Sequence, residues 1–238
     1  MLPWVGEFFG TMLLVFLGTG VVANAVLANT KGNGSGFLFI TVGWAVAVMV
    51  PAMAFANISG SHFNPALTIG IAIHSGVWDD VPMYIVGQFA GGLVGAFLTW
   101  VFYKDHFDAT EDKGAKLGTF ATGPAMRNLP LNFINELLAT FVLVFVLLTG
   151  LGAAGPMGEA FAIGVNFLGV GGLILVIGIA LGGTTGYALN PARDLSPRII
   201  HALVPIKDKG DSDWGYAWVP VAGPVAGAVI AALLVGVF

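Results

Sequence analysis

SGSHFNPALT (Ser59–Thr68) and GYALNPARD (Gly186–Asp194) each set Asn-Pro-Ala at the head of a short apolar run, over about 65 to 77 and 191 to 204. Both runs are too short to cross a bilayer, which takes roughly 20 apolar residues. Asn caps a helix well, and Pro is tolerated at the first helical position, where its missing N–H costs nothing. Two half-helices, capped by Asn64 and Asn190 and opened by Pro65-Ala66 and Pro191-Ala192, are therefore expected. The tripeptides lie 126 residues apart. A second pair, EFFGTMLLVF (Glu7–Phe16) and ELLATFVLVF (Glu136–Phe145), agrees at Glu, Thr, Leu, Val and Phe with an offset of 129. Near-equal offsets mean a duplicated unit.

Six apolar stretches long enough to span surround these motifs, at about 4 to 28, 36 to 56, 81 to 103, 131 to 154, 159 to 182 and 217 to 238. With three spans per unit, the second unit must cross in the opposite sense. The expected fold is thus an all-α membrane protein of six transmembrane helices and two re-entrant half-helices in an inverted repeat. It forms a single channel domain over 1–238 with units of about 1–110 and 130–238. Such inverted repeats with broken helices belong to transporters and channels. Gly87, Gly91 and Gly95, and Gly223, Gly227 and Ala231, form ridges that let helices touch backbone to backbone. The first stretch carries no basic leader and reads as a retained span. The one long polar segment, Lys104 to Asn128, reads as a connecting loop.

Composition agrees: 57% of residues are hydrophobic and 9% charged, against about a quarter charged in a soluble domain. With 9 Lys and Arg against 13 Asp and Glu, no basic surplus exists to bind nucleic acid. There is no cysteine, and the histidines at 62, 74, 106 and 201 are isolated, so no metal site is expected. No clustered nucleophile and base suggest an enzyme.

Non-helical backbone at membrane depth must be buried in protein or line a wet cavity. The segments Asn57 to Phe63 and Gly183 to Leu189 are therefore expected to line a pore, with Gly60, Ser61, His62, Thr184, Thr185 and Gly186 giving an extended chain whose carbonyls point inward. The Asn64 and Asn190 side-chain oxygens would cap their helices and leave both NH2 groups free for the lumen. The positive ends of the two half-helix dipoles would meet there and oppose cations. Arg193 breaks the symmetry, its partner position being Leu67. A charge at membrane depth is costly enough to imply function, with Asp194 next to it as a candidate counter-charge. Glu7 and Glu136 carry two readings: acceptors for loop N–H groups, or proton-relay carboxylates of a secondary transporter. Asp79, Asp80 and Glu159 read as solvated helix ends, and His74 near Asp79 as a candidate pH-sensitive position.

The two Asn-Pro-Ala segments, with the repeat around them, resemble those of the major intrinsic proteins over nearly the whole chain. The resemblance implies a homotetramer of pores that conduct small neutral solutes passively, without a cofactor or chemical step. By motif position the constriction of that family falls on Trp44, Gly178, Tyr187 and Arg193. The Gly plus aromatic pair followed by Arg193-Asp194 is similar to aquaglyceroporins, the glycerol facilitators, rather than water-selective aquaporins, which remain the nearest alternative. Trp44 and Tyr187 would form an apolar corner for a polyol, Arg193 would bind its hydroxyls and Gly178 would leave room. Glycerol facilitators commonly carry Phe at the position of Tyr187, so an additional hydroxyl would narrow the constriction. Glycerol and water are the expected permeants, with dihydroxyacetone, urea, hydrogen peroxide and undissociated lactic acid as further candidates. Ions and protons would be excluded by desolvation. The resemblance places the protein in the plasma membrane with both termini in the cytoplasm. The basic residues Lys31, Lys104, Lys113, Lys116, Arg127, Lys207 and Lys209 all fall on the other side, which by the positive-inside rule would reverse that orientation.

Overall fold

The structure, a computed structural model, describes residues 2–151 and 159–237. Among them the chain is helical: α1 (Pro3–Val26), α2 (Gly36–Ser59), α3 (Pro65–Ser75), α4 (Val81–Phe102), α5 (Lys104–Ala109), α6 (Lys113–Phe120), α7 (Leu129–Val146), α8 (Glu159–Thr185), α9 (Pro191–Leu203) and α10 (Val219–Val235). Five of the six expected spans are long and apolar enough to cross a membrane. The sixth, α10, has 17 residues, about 25 Å of rise and the short end of the spanning range. The ends expected at 152–154 and 238, and the side chain of Glu159, lie outside the described residues.

The two halves build the same unit. α1 packs on α2 and α4, and α7 packs on α8 and α10, while α2 meets α8 across the middle. Glycine explains the closeness of the first pairs. A Cβ on Gly87 would stand 2.7 Å from the Trp4 carbonyl oxygen, and one on Gly223 would stand 3.1 Å from that of Phe133. The half-helices are exchanged: α3 packs on α10 of the second unit and α9 on α4 of the first. Gly92 makes that crossing close, since a Cβ there would meet Ser196 at 2.9 Å, and the Ser196 hydroxyl donates to the Phe89 carbonyl at 3.0 Å. An inverted repeat of spans around two re-entrant half-helices is the result.

Two boundaries differ from the sequence reading. α2 runs to Ser59 and α8 to Thr185, so only Gly60–Phe63 and Gly186–Leu189 are non-helical before the half-helices. The polar connection also contains α5 and α6, and the Asp112 carboxylate caps α6 by accepting from Gly114 and Ala115 N–H. Finally, α7 ends in a π-helical turn, Leu147–Leu151; such turns often occur at functional sites.

Candidate functional site: a lumen between two half-helices

The two re-entrant segments have the same backbone. Gly60 (φ 77°), Ser61 (57°) and Phe63 (49°) are left-handed, and so are Gly186 (80°), Tyr187 (37°) and Leu189 (58°). Each pair is separated by 126 residues, the offset of the two Asn. Glycine opens each segment because it takes the left-handed cap at no steric cost: Gly60 N–H donates to Ala56 O and Gly186 N–H to Gly182 O. The non-glycine residues at positive φ are strained, and such strain persists only where surrounding bonds hold it.

Those bonds come from two carboxylates. Glu7 is fully buried and accepts from the N–H groups of His62 (3.0 Å) and Phe63 (2.6 Å), the Ser59 hydroxyl (2.6 Å) and the Gln88 amide (2.7 Å). Glu136, also fully buried, accepts from the N–H groups of Ala188 (3.0 Å) and Leu189 (3.2 Å). Each satisfies loop donors that no helix could reach.

Asn64 and Asn190 cap α3 and α9 as N-terminal residues should, each side-chain oxygen accepting from the second and third N–H after it. Their NH2 groups are not both free. Asn64 Nδ2 donates to the Leu189 carbonyl (2.9 Å) and Asn190 Nδ2 to the Phe63 carbonyl (2.7 Å). An amide nitrogen has two N–H donors, so each Asn spends one on tying the two half-helices together and keeps one. The tie uses the left-handed residues: Phe63 and Leu189 supply the accepting carbonyls.

A cavity of about 350 Å³ runs past this junction. Gly60, Ser61, His62, Asn64, Asn190, Arg193, Trp44 and Tyr187 line it, together with aliphatic side chains that include Leu14, Val48, Ile71, Leu143, Leu147 and Ile174. A smaller cavity of about 120 Å³ shares His62 and Ile71 and continues past Thr68 and Tyr84 to Asp80. Thr184, Thr185 and Gly186 do not line the main cavity; α8 carries the first two and Gly186 caps it, so the second lining segment is Tyr187 to Asn190. The offset of 126 pairs Ser61–Asn64 with Tyr187–Asn190, all of which line the cavity, and only Gly60 and Gly186 differ.

Three of the four expected constriction residues converge, and the fourth stands behind them. The Arg193 guanidinium lies over the Trp44 ring, 3.9 Å from its centroid, so part of the expected apolar corner is covered by a cation–π contact. Gly178 leaves room for Tyr187 rather than for a solute: a Cβ there would stand 2.9 Å from the phenol ring and 3.0 Å from its oxygen. The Tyr187 hydroxyl is therefore buried beside α8 and close to the Thr41 side chain, instead of narrowing the lumen. Gly18 does for Trp44 what Gly178 does for Tyr187, because a Cβ on it would fall inside the indole. That role depends on the approach of α1 to α2 and has no local sequence signal.

Asp194 stands near enough to offset part of the Arg193 charge but makes no direct ion pair with it. Its carboxylate pairs with Arg198 (2.8 Å) and accepts from the Thr122 N–H and hydroxyl, both at 2.7 Å. Arg193 instead donates to the Phe120 carbonyl (3.3 Å) at the end of α6. Arg198, Thr122 and Phe120 escaped the sequence reading; the one signal was a second arginine in so short an apolar run. His74 is exposed and makes no hydrogen bond or ion pair with Asp79 among the described residues; Asp79 and Asp80 are exposed too. Also among the described residues, no three His, Asp or Glu side chains come together as a metal site.

Basic residues outside the spans are part of the fold. Lys209 Nζ donates to the carbonyls of His201 (2.7 Å), Ala202 (2.7 Å) and Val204 (2.6 Å), using all three ammonium donors on the last turn of α9. Burial lowers its pKa. Arg127 forms a two-pronged pair with Asp213 (2.9 Å), which raises its pKa. Lys116, buried, donates to the Lys207 carbonyl, and Lys104 pairs with Asp108.

The sequence model of the family described as "Major intrinsic protein" matches residues 3–235. The "Glycerol uptake facilitator protein" of Streptococcus pneumoniae is 50% identical over 234 residues, 98% of this chain and 97% of that one. The "Probable glycerol uptake facilitator protein" of Thermotoga maritima is 48% identical, with 98% of both chains covered. Among solved structures, the aquaglyceroporin from Plasmodium falciparum superposes with a TM-score of 0.83 at 30% identity, covering 98% of this chain and 94% of that one. Repeat, exchanged half-helices and paired Asn caps all fall within the matched span, and the chain belongs to the major intrinsic protein family.

Proposed function

We propose that the chain is a passive channel for glycerol that also passes water and excludes ions and protons. The observation that carries this reading is the lumen itself. It is lined both by aliphatic side chains and by donors and acceptors, Arg193 and the two Asn amides among them. A polyol offers the same two kinds of surface: carbons for the aliphatic residues and hydroxyls for the donors and acceptors. The kinship with glycerol facilitators points to the same solute.

Roles follow residue by residue. Trp44, Tyr187 and Arg193 form the selectivity filter with Gly178 as the seat for the phenol. Asn64, Pro65, Ala66, Asn190, Pro191 and Ala192 fix the central donors, and Gly60, Ser61 and His62 line the pore, as Thr184, Thr185 and Gly186 do not. Glu7 and Glu136 support the loops. Neither carboxylate lines the cavity and both are occupied by loop donors, which favours support over a proton-coupled carrier. Ions pay the desolvation that neutral solutes avoid, and the N-terminal ends of both half-helices oppose cations. Dihydroxyacetone, urea, hydrogen peroxide and undissociated lactic acid are the other solutes to try.

The assembly is a homotetramer in the plasma membrane; each chain is one channel domain whose halves are the units of about 1–110 and 130–238, with both termini cytoplasmic. Lys104, Lys116, Arg127 and Lys209 are needed where they stand by carbonyls and carboxylates of the opposite face. Folding therefore explains their location without a cytoplasmic assignment.

Stopped-flow light scattering on proteoliposomes tests the proposal. With an impermeant osmolyte, fast shrinkage reads water; with glycerol, fast re-swelling reads the solute. Shrinkage without re-swelling leaves a water-selective channel, and neither response from folded protein removes the pore.

A further inference from the structure

Two arginines five residues apart on α9 are used in opposite ways. Arg193 lines the cavity and gives one N–H to a protein carbonyl. Arg198 is fully buried, and all five of its N–H donors are taken: Nε and Nη2 by Asp194 (3.0 and 2.8 Å), Nη2 again by the Thr122 carbonyl (2.8 Å), and Nη1 by the carbonyls of Ser212 (2.8 Å) and Asp213 (3.2 Å). Asp194, equally buried, turns its other oxygen to the N–H and hydroxyl of Thr122. Residue 122 is thus held at its N–H, its hydroxyl and its carbonyl. Two residues earlier, the Phe120 carbonyl is the oxygen that accepts from Arg193.

We propose that Arg198 is a positioning residue for the constriction: through Asp194 and Thr122 it clamps the segment 120–122 against α9, and the Phe120 carbonyl then holds the Arg193 guanidinium against Trp44 and out of the solute path. The inference rests on the channel reading above and adds the device that fixes its filter. A fork of five donors is required because the acceptors come from three separate segments: α9, residues 122 and 212–213. A lysine has three donors radiating from one atom. It keeps the charge beside Asp194 and cannot reach all three segments. Released from the loop, Arg193 swings over the lumen and obstructs glycerol more than the smaller water.

The test is a double-mutant cycle in proteoliposomes of the full chain, reading the ratio of glycerol to water permeability. Arg198→Lys is expected to lower that ratio about three-fold or more, and Thr122→Val, which removes the hydroxyl bond to Asp194 alone, to lower it less. Combined with Arg193→Ala, neither substitution is expected to change the ratio by as much as about two-fold, because coupled residues lose their separate effects. Loss of folded protein lowers both permeabilities together and leaves the ratio unmoved, so the ratio reads position rather than stability. Should Arg198→Lys fail to fold, Thr122→Val carries the cycle. Ratios equal to the parent in the single variants, or shifts that persist with Arg193→Ala, would overturn the proposal. A parent protein that fails to pass glycerol contradicts the channel reading instead.

Discussion

The half-helices α3 and α9 share a backbone and differ in charge. Both start at an Asn cap with near-identical dihedrals, φ and ψ of −153° and 114° at Asn64 and −148° and 110° at Asn190. Both follow loops with left-handed residues at matched positions, and each Asn ties to the loop of the other. Beyond the caps they part. The lumen meets Leu67 on α3 and Arg193 on α9 at equivalent positions. α3 ends at Gly76 with a left-handed cap, whereas α9 is held by Arg198 in the middle and by the Lys209 ammonium at its end. Duplication supplied the geometry of the central donors, and divergence placed Arg193, Arg198 and the Lys209 contact in one half alone.

Removing the loop carboxylates would break the shared part with the largest effect. Glu7→Leu strands four donors, and Glu136→Leu strands two backbone N–H groups and the nearby Thr185 hydroxyl; each buried unpaired group costs about 1–3 kcal/mol. Denaturation of the detergent-solubilised protein should show Glu7→Leu the more damaged. Equal losses would mean that the Ser59 and Gln88 bonds together contribute no more than the Thr185 hydroxyl does at Glu136. Next, Gly18→Ala drives a methyl into Trp44 and should cost about 1–3 kcal/mol as overpacking, with reduced glycerol flux. Gly172→Ala, inside α8 and with a Cβ that meets nothing within 4 Å, is the control and should be as stable as the parent or up to about 1 kcal/mol more so.

The caps sharpen the comparison. Asn64→Ala and Asn190→Ala each lose a cap worth about 1 kcal/mol and one cross-tie, so their melting temperatures should fall alike; a large inequality would show that the halves are not mechanically equivalent. Lys209→Met acts on the unshared part and should lower stability by about 1 kcal/mol. The smallest effect is at Asp108, whose pKa lies below its ordinary value because of the hydrogen bond from Lys104 and then that from the Lys207 N–H. A depressed carboxylate contributes stability above its unfolded pKa, and that contribution fades as pH falls through the folded value. Being solvent-screened, it should produce a slight drop in stability on acidification below 3.8 that Asp108→Asn lacks.

What the sequence made legible was local or repeated. Asn64 and Asn190 announce themselves because a cap and a first-turn Pro are decided within a few residues. Glu7 and Glu136 stand out as charges at matched places in apolar stretches. Errors arose where a helix end depends on a single glycine: Gly186 stops α8, so Thr184 and Thr185 stay helical and leave the lining to Tyr187–Asn190. Gly178 was identified as open space, but which group fills that space is a tertiary fact. The clamp was the least legible, since Thr122 lies 72 residues from Asp194 and 76 from Arg198. No local pattern brings a polar connecting segment onto a half-helix.

The most direct measurement is glycerol influx into proteoliposomes over a wide range of glycerol concentration, with and without a protonophore. A pore gives flux that rises in proportion to the gradient and ignores the protonophore, and this is the expected result. Flux that saturates at millimolar glycerol, or collapses when the proton gradient is dissipated, would contradict a passive channel and return Glu7 and Glu136 to the role of coupling sites.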